Sequence, residues 1–120
     1  MHRLLAGLGL IGVLVSGQSP AWAQQQFDGR WTIEATPDKG TCTRVYRYTV
    51  IVEGGAVRGA TLRRVMIRGK LDPSGRVQGS AERSKTRVEV TGNLSGRSGS
   101  GHWTTKGRLN CSGQWQAGKQ

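Results

Sequence analysis

Histidine is nearly missing from this chain. It occurs twice among 120 residues, and one of the two, His2, lies in the first segment. Acids are scarce as well, with 7 Asp and Glu against 18 Lys and Arg. The acids are Asp28, Glu34, Asp38, Glu53, Asp72, Glu82 and Glu89, scattered singly. No close pair is written that would serve as the coupled carboxylates of a glycosidase. His102 has Ser98 and Ser100 beside it but no acid nearby in sequence to orient an imidazole, so no Ser-His-Asp set is present. No His, Cys, Asp and Glu group has metal-ligand spacing. The glycine-rich stretches lack the strand-loop-helix context of a phosphate cradle. These absences predict a protein that is not an enzyme and that carries neither metal nor cofactor.

Long apolar runs are also lacking. The run from Leu4 to Val15 is about 12 residues, against the roughly 20 that span a bilayer as a helix. It follows a basic start, His2 and Arg3, and precedes the helix-breaking Ser16-Gly17-Gln18-Ser19-Pro20. Ala21-Trp22-Ala23 then supplies the small-x-small pattern that signal peptidase cuts. Residues 1–23 are expected to be a signal peptide and residues 24–120 a single mature domain. No Cys follows the cut, which argues against lipid anchoring. The expected destination is periplasmic or secreted. Cysteine itself is sparse, only Cys42 and Cys111. Two cysteines in an exported chain favour one disulfide, with two free thiols as the other reading. The bridge would close a loop of roughly 70 residues and contribute about 4 kcal/mol on the chain-entropy model.

What is abundant is glycine, 19 residues, spread so that no helix of useful length can form. β-branched and aromatic residues fill the intervals. About eight strands are predicted: Gly29 to Ala35, Cys42 to Glu53, Ala56 to Leu62, Arg64 to Leu71, Arg76 to Glu82, Thr86 to Leu94, Gly101 to Leu109 and Ser112 to Ala117. Pro37-Asp38-Lys39-Gly40, Gly54-Gly55 and Asp72-Pro73-Ser74-Gly75 read as turns, and Ser95 to Ser100 as a flexible connection. Alternation puts Trp31, Ile33, Tyr46, Tyr48, Val50, Val65, Ile67, Val88, Val90, Trp103, Leu109 and Trp115 on one face. Arg, Lys, Thr, Gln and Glu take the other. This is the pattern of an all-β antiparallel meander. Closure into a small up-and-down barrel would remove its edges, and an open curled sheet or small sandwich is the alternative.

A weak repeat runs through the strands. Gly-x-Trp occurs at Gly29, Gly101 and Gly113, and Gly-x-Leu at Gly69, Gly92 and Gly107. Residues i and i+2 share a strand face, so each unit sets a missing side chain beside a large one on the inner face. A facing ring then has room to lie over the glycine. The rings either fill a core or wall a ligand cavity. A filled core is expected, because so short a chain leaves little interior to spare.

The net charge is +11, and loss of residues 1–23 would remove Arg3 and no acid, leaving about +10. Such an excess attracts polyanions. Arg47, Arg64, Arg68, Lys70, Arg87, Lys106 and Arg108 occupy outward positions or turns and form a candidate anion-binding face. Its expected partner is an anionic envelope lipid, a polysaccharide or an acidic protein.

Phe27-Asp28-Gly29-Arg30-Trp31, Cys42 before Tyr46-Arg47-Tyr48, Ser98-Gly99-Ser100-Gly101-His102-Trp103 and Cys111-Ser112-Gly113-Gln114-Trp115 together resemble a group of small exported bacterial β proteins. The resemblance implies no activity. The early Gly-x-Trp is also similar to the opening of lipocalin- and avidin-like barrels. Ser98-Gly99-Ser100-Gly101 with a following aromatic resembles a loop of periplasmic lysozyme-inhibitor barrels, with Trp103 where that family has tyrosine. The expected function is therefore non-catalytic binding through the basic surface or one open end. The alternative is inhibition of a secreted hydrolase through a loop over 97–103, using Ser98, Ser100, His102 and Trp103.

Overall fold

The period-2 alternation resolves into eight antiparallel strands in a computed structural model that describes residues 25–61 and 65–120. The expected signal segment, 1–23, and Arg64 lie outside the described residues. The strands are β1 (Gly29–Gly40), β2 (Tyr46–Glu53), β3 (Ala56–Ala60), β4 (Met66–Leu71), β5 (Arg76–Arg83), β6 (Thr86–Ser95), β7 (Ser98–Gly107) and β8 (Cys111–Lys119). Each pairs with the next, and β8 pairs back onto β1, so the meander closes as a barrel. Closure satisfies the outer hydrogen-bonding edges of β1 and β8 that an open sheet would expose.

Most outward side chains are polar or charged and most inward ones apolar, the reverse of a lipid-facing barrel. No helix among the described residues is long and apolar enough to cross a membrane.

Three strand limits differ from the sequence expectation by three residues or more. β1 continues through Pro37-Asp38-Lys39-Gly40 instead of turning there. It stays paired to β8 across a register shift between Pro37 and Lys39, where a bulge accommodates the proline that cannot donate. Cys42 consequently sits in the β1–β2 connection and does not open β2. β7 begins at Ser98, so the flexible connection expected over Ser95–Ser100 shrinks to the turn residues Gly96 and Arg97. Gly99 and Gly101 are strand residues whose inner faces are covered by Leu94 and Trp115.

The two ends of the barrel differ. At one end Phe27, Trp31, Val52 and Leu94 are buried together. The segment before β1 crosses this end. Its Phe27 ring packs against Trp31 with centroids 6.4 Å apart, and Trp31 Nε1 donates to the Phe27 carbonyl at 2.8 Å. Asp28 Oδ1 accepts from Gly54 N at 2.8 Å, which ties the segment to the β2–β3 turn. That turn has both glycines at positive φ, 60° at Gly54 and 81° at Gly55, the conformation that matches hairpin twist and that other residues resist. At the opposite end the β1–β2 connection is joined to the start of β8 by the Cys42–Cys111 disulfide. The bridge lies at the seam where the first and last strands meet, since Gly40 pairs with Cys111. A disulfide of this kind belongs to an oxidising, non-cytoplasmic environment.

Candidate ligand cavity

Between the two ends lies a cavity of about 640 Å³, open at the disulfide end. Cavities of this size accommodate small molecules. The core is therefore not filled, contrary to the expectation from chain length.

The glycine rows explain how so small a barrel keeps space inside. Trp115 on β8 faces Gly101 on β7, and Gly101 faces Gly92 on β6. A Cβ at Gly101 would stand 2.6 Å from Trp115 Nε1, and one at Gly92 would meet the same ring. Trp103 lies in the same way against Gly113. The indoles lie down along the wall instead of pointing at the barrel axis. Backbone carbonyls hold them there: Trp115 Nε1 donates to Thr91 O at 3.0 Å and Trp103 Nε1 to Gln114 O at 3.1 Å. Both indole donors are thereby used in the wall, and what the cavity meets is the apolar ring.

Val50, Val88, Val90, Ile33 and Ile67 complete an apolar lining, and every residue assigned to the inner face by alternation lines this space. Tyr48 brings a polar group into it. Burial pushes its hydroxyl pKa above the usual tyrosine value, and no described residue hydrogen-bonds it. Thr105 is committed elsewhere, accepting from Cys111 N at 2.8 Å and donating to Leu109 O at 2.8 Å. Nearer the opening the lining includes Arg44 and Arg83. Neither has a carboxylate partner among the described residues.

One seam of the wall is weak. Among the described residues β3 and β4 share a single partner pair, Ala56↔Lys70, near the closed end. Val57 covers the next position, where a Cβ at Gly69 would stand 2.9 Å from its Cγ2. The cavity reaches this seam, with Val57, Ile67 and Arg68 in its lining.

The described candidate anion-binding residues do not form one cationic face. Arg47 is on β2, on the side opposite β6, and pairs with Glu34 at 2.7 Å. Arg87 and Lys106 are direct cross-strand partners on β6 and β7. They sit in a mixed cluster, with Arg87 3.2 Å from Glu82 and 3.9 Å from Glu89, and Lys106 3.9 Å from Glu89. Arg68 and Lys70 project from β4 without an acidic partner among the described residues, and Arg108 lies in the β7–β8 connection. Ser98, Ser100 and His102 alternate outward along β7 while Trp103 is buried. The segment 97–103 is thus a strand paired on both sides, apart from the turn residue Arg97, and not a projecting loop.

The sequence singles out Arg83 only as one of the outward cations, and it gives no sign of Phe27 or Arg44 as parts of the site. Phe27 stops the closed end, but a lone aromatic before the first strand carries no periodic signal. Arg44 and Arg83 reach the opening because the β1–β2 connection and the β5–β6 hairpin both end there. Comparison with family models, curated proteins and solved structures gives no match for this chain.

Proposed function

We propose that this is an exported, non-catalytic binding protein that holds a largely apolar small molecule inside the barrel, with a polar or anionic end directed at the opening. The observation that carries this reading is the cavity of about 640 Å³, open at one end and lined by flattened indoles and aliphatic side chains. Transfer of apolar surface from water into such a space contributes roughly 25 cal/mol per Å². The Tyr48 hydroxyl offers a donor on the way in, and Arg44 and Arg83 favour a negative end at the opening. The segment 1–23 and the disulfide support export, with Gln24 as the mature first residue.

Uptake of an environment-sensitive apolar dye, followed by displacement with long-chain fatty acids, tests the reading. Saturable uptake at a stoichiometry near one supports it. Val88→Phe and Val90→Phe, which place rings in the cavity, should abolish uptake while the unfolding transition stays cooperative. A wild-type protein that takes up neither dye nor fatty acid would refute it.

A further inference from the structure

The opening of the cavity carries most of the exposed apolar side chains of the domain. Val45, Tyr46, Leu109 and Met66 expose 43, 45, 46 and 59 % of their surface. Ile51, at 37 %, is the other large exposed hydrophobic residue among the described residues, and it lies on the outer wall. Val45 and Tyr46 belong to the β1–β2 connection and the start of β2, Met66 begins β4, and Leu109 is in the β7–β8 connection. All are at the open end. They come from three separate segments of the rim and not from one continuous stretch of chain.

Cations stand among them. Arg44, Arg83, Lys85 and Arg108 occupy the connections or strand ends of the same rim. None has a carboxylate partner among the described residues. The nearest acid in sequence, Glu82, is taken up by Arg87 at 3.2 Å. The closed end is different in character. Its aromatic and aliphatic side chains are buried, whereas acids occur at both ends, Asp28, Glu53 and Asp72 here and Asp38 and Glu82 near the opening.

We propose that the open end docks on an anionic lipid bilayer, with Val45, Tyr46, Met66 and Leu109 entering the interface and Arg44, Arg83, Lys85 and Arg108 meeting the lipid phosphates. Apolar tips with flanking cations match the two components of an anionic interface, acyl boundary and negative surface. Tips on three separate segments of the rim need a partner that conforms to them, and a fluid bilayer does so where a rigid protein surface would have to be matched point by point. Docked this way, the cavity faces the membrane directly, and an amphiphile would pass between the two without crossing water. The inference rests on the cavity reading for its purpose, not for its geometry.

The test uses protein recovered after export and vesicles of phosphatidylcholine with or without phosphatidylglycerol. Sedimentation with vesicles is measured at low and high salt. Wild-type protein should bind the anionic vesicles at low salt and lose most of that binding at high salt. The variant Arg83→Gln/Lys85→Gln/Arg108→Gln should bind them roughly a hundred-fold more weakly, about five-fold for each cation. Arg30→Gln/Lys70→Gln/Arg97→Gln removes the same charge from outside the rim and should stay within a few-fold of wild type. Met66→Ser/Leu109→Ser should weaken binding without changing the net charge. The docking proposal is overturned if the two charge variants fall equally, which would mean unspecific attraction. It is also overturned if the serine variant binds like wild type, or if heparin but not vesicles retains the protein. Dye uptake in solution separates the two readings. A protein that docks but takes up no dye loses the cavity reading alone, and one that takes up dye but ignores vesicles loses the docking alone.

Discussion

Trp103 lies flat against Gly113, its cross-strand partner, so closely that a Cβ on the glycine would stand 2.6 Å from Trp103 Cζ2. Thr36 O approaches the same position from the other side. A side chain at Gly113 therefore has nowhere to go unless the indole lifts into the cavity and the β1 backbone at Thr36 also gives way.

Gly113→Ala is expected to cost about 1–3 kcal/mol, the usual range for overpacking a close-packed wall. The displaced ring would also occupy ligand space, so dye uptake should fall together with the midpoint of urea unfolding. Gly118→Ala is the control, because a Cβ there meets nothing within 4 Å. An unchanged midpoint for Gly113→Ala would show that the ring is not seated as described.

Tyr48→Phe removes a hydroxyl that no described residue binds. Stability at neutral pH should be unchanged, since the hydroxyl is half-buried and no hydrogen bond to a described residue is lost. Affinity for a ligand with a polar end should fall by about 0.5–1.5 kcal/mol, one hydrogen bond. Burial raises the pKa of Tyr48. In alkali the unfolded chain ionises this tyrosine first, so the fold loses stability as pH rises past the ordinary tyrosine value. Denaturant melts between pH 9 and 11 should show a shallower loss in Tyr48→Phe than in wild type.

The Cys42–Cys111 bridge closes a loop with a sequence separation of 69. Replacing both cysteines with serine should lower stability by about 4 kcal/mol on the chain-entropy model. Reduction of the wild type should reproduce the effect in an unfolding titration, and reductant should leave the double variant unaffected. Because the bridge holds the β1–β2 connection to the start of β8, the double variant should also bind dye more weakly before it unfolds.

Asp72 organises the β4–β5 turn. Its Oδ1 accepts from the Ser74 hydroxyl at 2.6 Å, from Ser74 N at 2.9 Å and from Arg76 N at 3.0 Å. The Ser74 hydroxyl is the main reason its carboxyl pKa is held below the usual value, with the Arg76 backbone N–H next. A lowered folded pKa stabilises at pH values above the ordinary carboxylate range, and the contribution disappears as pH falls through the folded value. Asp72→Ala should therefore lower the melting temperature at pH 7, with the gap to wild type closing towards pH 2. A gap independent of pH would mean that the carboxylate's charge contributes nothing to the turn.

Ion pairs on the outer wall carry little of this stability. Arg47–Glu34 and Arg87–Glu82 are largely solvent-exposed, and such pairs contribute about 0–1 kcal/mol. They neutralise part of the basic surface, and the rim cations are among those left without a carboxylate partner among the described residues.

Local chemistry already determined most of the fold. Alternation placed Trp31, Tyr48, Val50, Val90, Trp103 and Trp115 on the inside, because a strand's period of two assigns every side chain to a face once one is assigned. The turns at Gly54-Gly55 and Asp72–Gly75 were legible for the same local reason: positive φ and side-chain-to-backbone bonding are properties of a few adjacent residues. The spacing of two cysteines in an export-type chain was enough to expect their bridge. Strand ends such as Pro37 to Gly40 were not legible, because pairing with β8, about seventy-five residues further along, holds that segment extended. Nor did a one-dimensional pattern distinguish a core packed by tryptophan from a cavity walled by it. That choice was made when β6, β7 and β8 came into register, setting Gly92, Gly101 and Gly113 under the rings, and when Phe27 closed one end only. Both depend on contacts between strands, which is why the binding site belongs to the tertiary structure and its apolar lining to the sequence.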